Sequence, residues 1–146
     1  MGVHDSYGKD VLSRVLGSQF DRWDSARNVP VGGIGISVDG VIRGGVTHIV
    51  NCAVEVEARN EPQVRIAVLN LFLHPAPQAL LILMPRNLNN PLPKVLDHVQ
   101  VLWDRLTRGS RGPLSVACFM GDGDAPSYDE DAAILKDQLA RMTLSV

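Results

Sequence analysis

The stretch "AVEVEAR", residues 53–59, decides how this chain is read. Val54 and Val56 alternate with Glu55 and Glu57, and Cys52 and Ala58 continue the apolar set. A strand sends successive side chains to opposite faces, so both glutamates leave the same face, two residues apart. Burying paired like charges is costly unless something compensates them. The compensation is either solvent or a metal ion.

Working outward, "VTHIVNCAVEVEA" is the strongest strand pattern in the chain, and a helix follows it. Asn60 with Gln63 three residues on matches a capping box, and Glu61 and Pro62 suit a first helical turn. "QVRIAVLNLFLH" then runs to the "HPAP" stop and is apolar nearly all round, which predicts a central, largely buried helix. "ALLILM", residues 79–84, is a continuous apolar run of the parallel, doubly covered kind. An amphipathic helix over 93–107, a buried strand over 114–120 and a final helix complete this half. Ser127 and Glu130 make a second capping box ahead of that last helix, which runs to about Arg141.

Upstream, Val11, Leu12, Val15 and Leu16 form a helical stripe over residues 8–17, closed by Gly17. Residues 18–30 are mixed and polar and read as a loop or a frayed extension of the helix. "VGGIGISVDG" reads as a strand ending in an Asp-Gly turn signal, with "VIRGG" as a short return strand or a turn. The order of elements predicts one α/β domain over 1–146, with a mixed sheet and helices on both faces.

Composition narrows the classes. At 146 residues the chain can bury roughly two-thirds of its unfolded surface without staples. A net charge of −2 makes no global electrostatic case for nucleic acid, although arginines dominate the positive side and the lysines are Lys9, Lys94 and Lys136 alone. Cys52 and Cys118 sit among apolar neighbours, which fits buried thiols in a reducing compartment. The apolar runs are too short to cross a bilayer and the N-terminus lacks an apolar signal region, so a soluble cytoplasmic protein is expected.

Asp39 ends the early strand, sixteen residues before Glu55 and eighteen before Glu57. If a hairpin makes those strands neighbours, the carboxylates converge at one edge, as a hard-oxygen site suited to Mg²⁺ or Mn²⁺. Gln63, with Asn70 and His74 further along the helix, and Arg59 and Arg65 lie close enough in sequence to join it.

An Asp before a hairpin, then an apolar strand bearing Glu-x-(Lys/Glu), a helix opening near a Gln and another apolar strand resemble the restriction-endonuclease-like superfamily. Those are the PD-(D/E)XK phosphodiesterases. The matching positions are Asp39-Gly40, Glu55-Val56-Glu57, Gln63 and "LLILMP", within residues 8–86. The resemblance implies a three-layer restriction-endonuclease-like fold and metal-dependent phosphodiester hydrolysis, by an endonuclease or exonuclease acting on DNA rather than RNA. It implies that Asp39 and Glu55 bind Mg²⁺ or Mn²⁺, with Glu57 as a third metal-site acid and the Val56 carbonyl as a further ligand. It places Glu57 where the family most often has Lys, orienting the attacking water, and makes Gln63 a supporting polar group. Asp10 would be the assisting acid of the first helix. Arg59 and Arg65 would meet phosphates. Two departures stand out: Glu57 is not Lys, and Val38 replaces the motif's proline.

Each feature also has a plainer reading. Glu55 and Glu57 suit the solvated face of a half-exposed strand. Asp39 suits a hairpin turn, Gln63 a capping box, and His74 a helix end. "GDGD", with Asp122 and Asp124, follows a strand but lacks calcium-loop spacing. The glycines near residue 33 do not form a dinucleotide fingerprint. Two functions therefore stand at this level: a metal-dependent nuclease, or a non-catalytic module of the same fold that serves binding or assembly, as a homodimer or beside a partner.

Overall fold

The computed structural model describes residues 2–22, 29–32 and 34–142. Its main sheet has five strands in the order β1-β4-β5-β6-β7, and β2 and β3 form a separate ribbon. The elements are α1 (Val3–Leu16), β1 (Phe20–Asp21), β2 (Val29–Val31), β3 (Ile34–Ile36), β4 (Gly40–Arg43), β5 (Val50–Glu57), α2 (Glu61–Leu73), β6 (Gln78–Leu83), α3 (Leu92–Thr107), β7 (Ser115–Cys118) and α4 (Tyr128–Ala140). The sheet is mixed: β1, β4 and β5 pair antiparallel, and β5, β6 and β7 pair parallel.

Alternation along the strands divides the core in two. Cys52, Val54, Val56, Leu80 and Ile82 pack with Tyr7, Val11, Leu12 and Leu135 of α1 and α4. Ala53, Ala79, Leu81 and Leu83 pack with Val64, Val68, Val95, Val99 and Trp103 of α2 and α3. The result is three layers, helices on each side of a doubly covered sheet, as the continuous apolar runs predict. Two successive parallel crossovers that step the same way across a sheet put both helices on one face, and α2 and α3 obey this.

Several boundaries and roles differ from expectation. α1 begins at Val3 rather than residue 8, which adds a turn carrying Asp5 and Tyr7. The expected loop over 18–30 contains β1, and its residues 23–28 lie outside the described ones. The strand expected before Asp39 pairs within the ribbon, not in the main sheet. The return segment is β4, next to β5 with Gly40 opposite Val54, so the hairpin that matters joins β4 and β5. Gly40 is there for close approach rather than for a turn. A Cβ on it would stand 2.6 Å from the Asp21 carbonyl oxygen and 2.7 Å from the Phe20 ring.

α2 is less buried than its composition predicts, because the sheet and α3 cover only part of its surface. Ile66 and Leu69 remain 49 % and 42 % exposed. Asn60 caps α2 as expected, accepting from the Gln63 N–H at 3.4 Å. The second capping box does not form: the Ser127 side chain caps nothing, and its N–H donates to Tyr7 Oη at 3.0 Å. Asp131, fully buried, does the joining work at this end. It accepts from Tyr7 Oη at 2.5 Å, from Met120 N–H at 2.6 Å and from Gly121 N–H at 3.0 Å.

α1 lies close on β5 because residue 8 has no side chain. A Cβ on Gly8 would stand 2.6 Å from Val56 Cγ1 and 3.0 Å from Met84 Cε. Helix propensity alone favours alanine here by about 1 kcal/mol. Overpacking against a β-branched valine costs about 1–3 kcal/mol and wins. Gly8→Ala is therefore expected to lower the melting temperature by several degrees; a rise on thermal denaturation would show that propensity decides.

Candidate metal centre

The parallel strands β5, β6 and β7 end at one edge of the sheet, where loops leave toward α2, α3 and α4. In open α/β sheets such an edge is where ligands bind. Asp39 sits at this edge, immediately before β4. Its Oδ2 accepts from the Val56 N–H at 2.7 Å, and its own N–H donates to Glu55 Oε1 at 3.1 Å. The β4–β5 register thus brings together two acids sixteen residues apart. One residue's N–H and C=O leave a strand on the same side, so the Val56 carbonyl also faces the Asp39 side. The Glu57 carbonyl faces the opposite side and accepts from the Met84 N–H at 3.0 Å.

Glu55 leaves β5 on the α2 side of the sheet, while α1 reaches Asp39 from the other. Lys9 Nζ stands 3.9 Å from Asp39 Oδ1; the lysine side chain is 1 % exposed and that of Asp39 is 25 % exposed. Asp5, one turn earlier on α1, completes the group. Burial raises the carboxyls of Asp5, Asp39 and Glu55 above their ordinary range. The largest change is at Glu55, pushed up to about 9 by burial first and by the Asp39 charge second. For Asp5, the Lys9 charge opposes the shift.

The folded protein thus holds a proton on Glu55 between its ordinary value of 4.5 and about 9, a range in which the unfolded chain does not. Stability falls with pH where the native state binds more protons. The metal-free protein is expected to lose melting temperature from pH 5 to 9, and Glu55→Gln to flatten that slope. Equal slopes in the two proteins would show that Glu55 is not the source.

Glu57 does not join the pair as a third open ligand. It is buried, and both its oxygens are engaged. Oε2 accepts from Ala58 N–H, Arg59 N–H and Arg59 Nε at 3.0, 2.9 and 3.0 Å, and Oε1 accepts from Arg59 Nη2 at 2.8 Å. Glu57 therefore anchors the loop into α2 and holds Arg59, whose side chain is 68 % exposed at the same edge.

Gln63 lies in the first turn of α2, its N–H committed to Asn60. Arg65 lines a separate groove with Lys94 and His98 between α2 and α3. Asn70 and His74 lie farther down α2, about 10 Å or more from its first turn at 1.5 Å per residue. His74 ends the helix, its Nδ1 accepting from Ala76 N–H at 3.1 Å. Asp10 pairs with Arg22 at 2.9 Å, because its position on α1 turns it away from Asp39. Asp5 is the acid of that helix that meets the site.

Sequence reading missed Asp5 and Lys9. Positions 5, 9, 12 and 16 share one helical face by the i, i+4 and i+7 rule, so both continue the Leu12 and Leu16 stripe. That spacing was the available signal.

His4, Asp122 and Asp124 also bring ligand-type atoms within 4.8 Å of one another. That cluster is internally satisfied. Arg86 donates to Asp122 Oδ2 at 2.8 Å, Asp122 Oδ1 accepts from the N–H groups of Asp124 and Ala125, and His4 Nδ1 accepts from Gly123 N–H. Arg86 holds the Asp122 carboxyl down to about 2. Neither cysteine is in a disulfide, and burial pushes the Cys52 thiol up to about 12. No described helix is long and apolar enough to cross a membrane.

No protein-family model and no curated protein matches the chain.

Proposed function

We propose that this protein is a divalent-metal-dependent phosphodiester hydrolase of the restriction-endonuclease-like kind, acting on DNA. The observation that carries this is the joining of Asp39 and Glu55 through the Asp39 N–H, with Val56 presenting its N–H to Asp39 and its carbonyl to the same side. The meander β1-β4-β5, followed by α2 and the parallel β6, agrees with the resemblance carried by Asp39, Glu55, Gln63 and "LLILMP".

The donors fit Mg²⁺ or Mn²⁺. Asp39, Glu55 and the Val56 carbonyl are hard oxygens, and the proton held on Glu55 marks a place where positive charge is wanted. When bound, such an ion lowers the pKa of a coordinated water and neutralises phosphate charge. The chain's own part is to hold those oxygens together on a rigid strand end and to keep Arg59 exposed beside them, within reach of a backbone phosphate. In the reaction, water forms a bond to phosphorus and the bond to the leaving oxygen breaks. The proton lost by water and the one gained by the leaving oxygen balance through solvent.

The test is cleavage of DNA oligonucleotides by the purified protein with Mn²⁺, with Mg²⁺ and with EDTA, beside RNA of the same sequence. Cleavage that requires the metal and disappears in Glu55→Gln supports the reading; metal-independent cleavage, or an undiminished variant, overturns it. One observation favours the second reading, a non-catalytic binding module: Glu57, at the family's lysine position, is fully engaged by Arg59. Stabilisation by Mn²⁺ with no cleavage of either nucleic acid would select it.

A further inference from the structure

Lys9 is one of the fully buried side chains of the molecule, 1 % exposed, on a helix whose glycine at the preceding position lets it lie on β5. Burying an ammonium is strongly unfavourable unless it meets an opposite charge. A leucine at this position would complete the α1 stripe without that cost. The charge instead faces Asp39 Oδ1, the oxygen left over when Oδ2 takes the Val56 N–H. The separation of 3.9 Å is an ion-pair distance. The neighbouring cation, Arg59, is tied to Glu57 through two nitrogens and its backbone N–H.

We propose that Lys9 is the cationic group of the Asp39–Glu55 site, its ammonium donating to the water or the non-bridging phosphate oxygen held against Asp39. This rests on the nuclease reading. It gives the site a positive charge from α1, on the face of the sheet opposite Glu55, so that a phosphate at the strand edge lies between the two. Glu57 then needs no catalytic part, and its engagement with Arg59 is compatible with an active site.

The role separates from a structural one by two measurements on Lys9→Met, which keeps the length and apolar packing of the stem. Loss of a preorganised donor costs about 10²–10³-fold in turnover. Mn²⁺ should bind at least as tightly as in the wild type, because a positive charge beside Asp39 Oδ1 has gone. Affinity is read from melting temperature against Mn²⁺ concentration, and turnover from DNA cleavage at saturating Mn²⁺. If Lys9→Met melts below the assay temperature, Lys9→Gln is read for the same split. Cleavage within threefold of wild type overturns the proposal. So does parallel loss of Mn²⁺ affinity and cleavage, which would mean that Lys9 only keeps Asp39 in place. A wild type that neither binds Mn²⁺ nor cleaves overturns the nuclease reading itself, and Lys9's role with it.

Discussion

Glu55→Gln is expected to abolish metal-dependent cleavage, by about three orders of magnitude or more, while leaving the metal-free protein folded. The amide keeps the shape and can still accept the Asp39 N–H, which Glu55 Oε1 accepts at 3.1 Å. It cannot supply the charge that a hard divalent cation requires. Wild type at a Mn²⁺ concentration one hundred times its dissociation constant gains about 2.7 kcal/mol, or roughly 8–12 °C for a domain of this size. In Glu55→Gln that increment should vanish. The metal-free variant should also melt higher than wild type at pH 8, because the cost of holding on Glu55 a proton that the unfolded chain has released at that pH is gone. A purely structural glutamate gives the opposite sign, so this comparison separates a ligand from a scaffold residue. Retained Mn²⁺ stabilisation in the variant would remove Glu55 from the metal site.

Asp131→Ala is expected to be the most damaging single change to stability, about 3–5 kcal/mol. The carboxyl is wholly buried and takes donors from three places: Tyr7 of α1 and the N–H groups of Met120 and Gly121 after β7. Truncation leaves those donors without their acceptor, and each orphaned buried group costs about 1–3 kcal/mol. Tyr7→Phe removes one donor and leaves the backbone bonds to Asp131, so about 1–2 kcal/mol is expected. Against a total of about 5–15 kcal/mol, the alanine variant should unfold roughly 10–20 °C lower or fail to accumulate. Chemical denaturation of the two variants side by side checks the ranking; equal losses would mean that Tyr7, not Asp131, organises the junction.

The layered arrangement was legible because alternation and helical periodicity are local properties. The run of 79–84 could be read as a doubly covered strand from its apolar continuity alone, and Asn60 as a cap from its spacing to Gln63. The same local rules failed at Ser127. The Ser127 N–H there is met by Tyr7 Oη, more than a hundred residues away, which in turn donates to Asp131. They failed at Gly40 too, where Asp-Gly is a common turn signal but the glycine serves the approach of β1.

The candidate site was half legible. The shared face of Glu55 and Glu57 follows from the two-residue period of a strand and needs no tertiary information. What each carboxylate meets does not follow from it. Glu57 lies at the strand's last position, where the chain turns back and offers its own N–H groups and Arg59, so it is neutralised within its own loop. Glu55, two residues earlier, cannot reach those donors and meets Asp39 through the β4–β5 register. "AVEVEAR" by itself determined that two acids share a strand face. Only the packing of β4 and α1 against that strand decided that one is sealed by arginine while the other faces Asp39, with Lys9 beside it, because strand register and helix approach depend on contacts far apart in the chain.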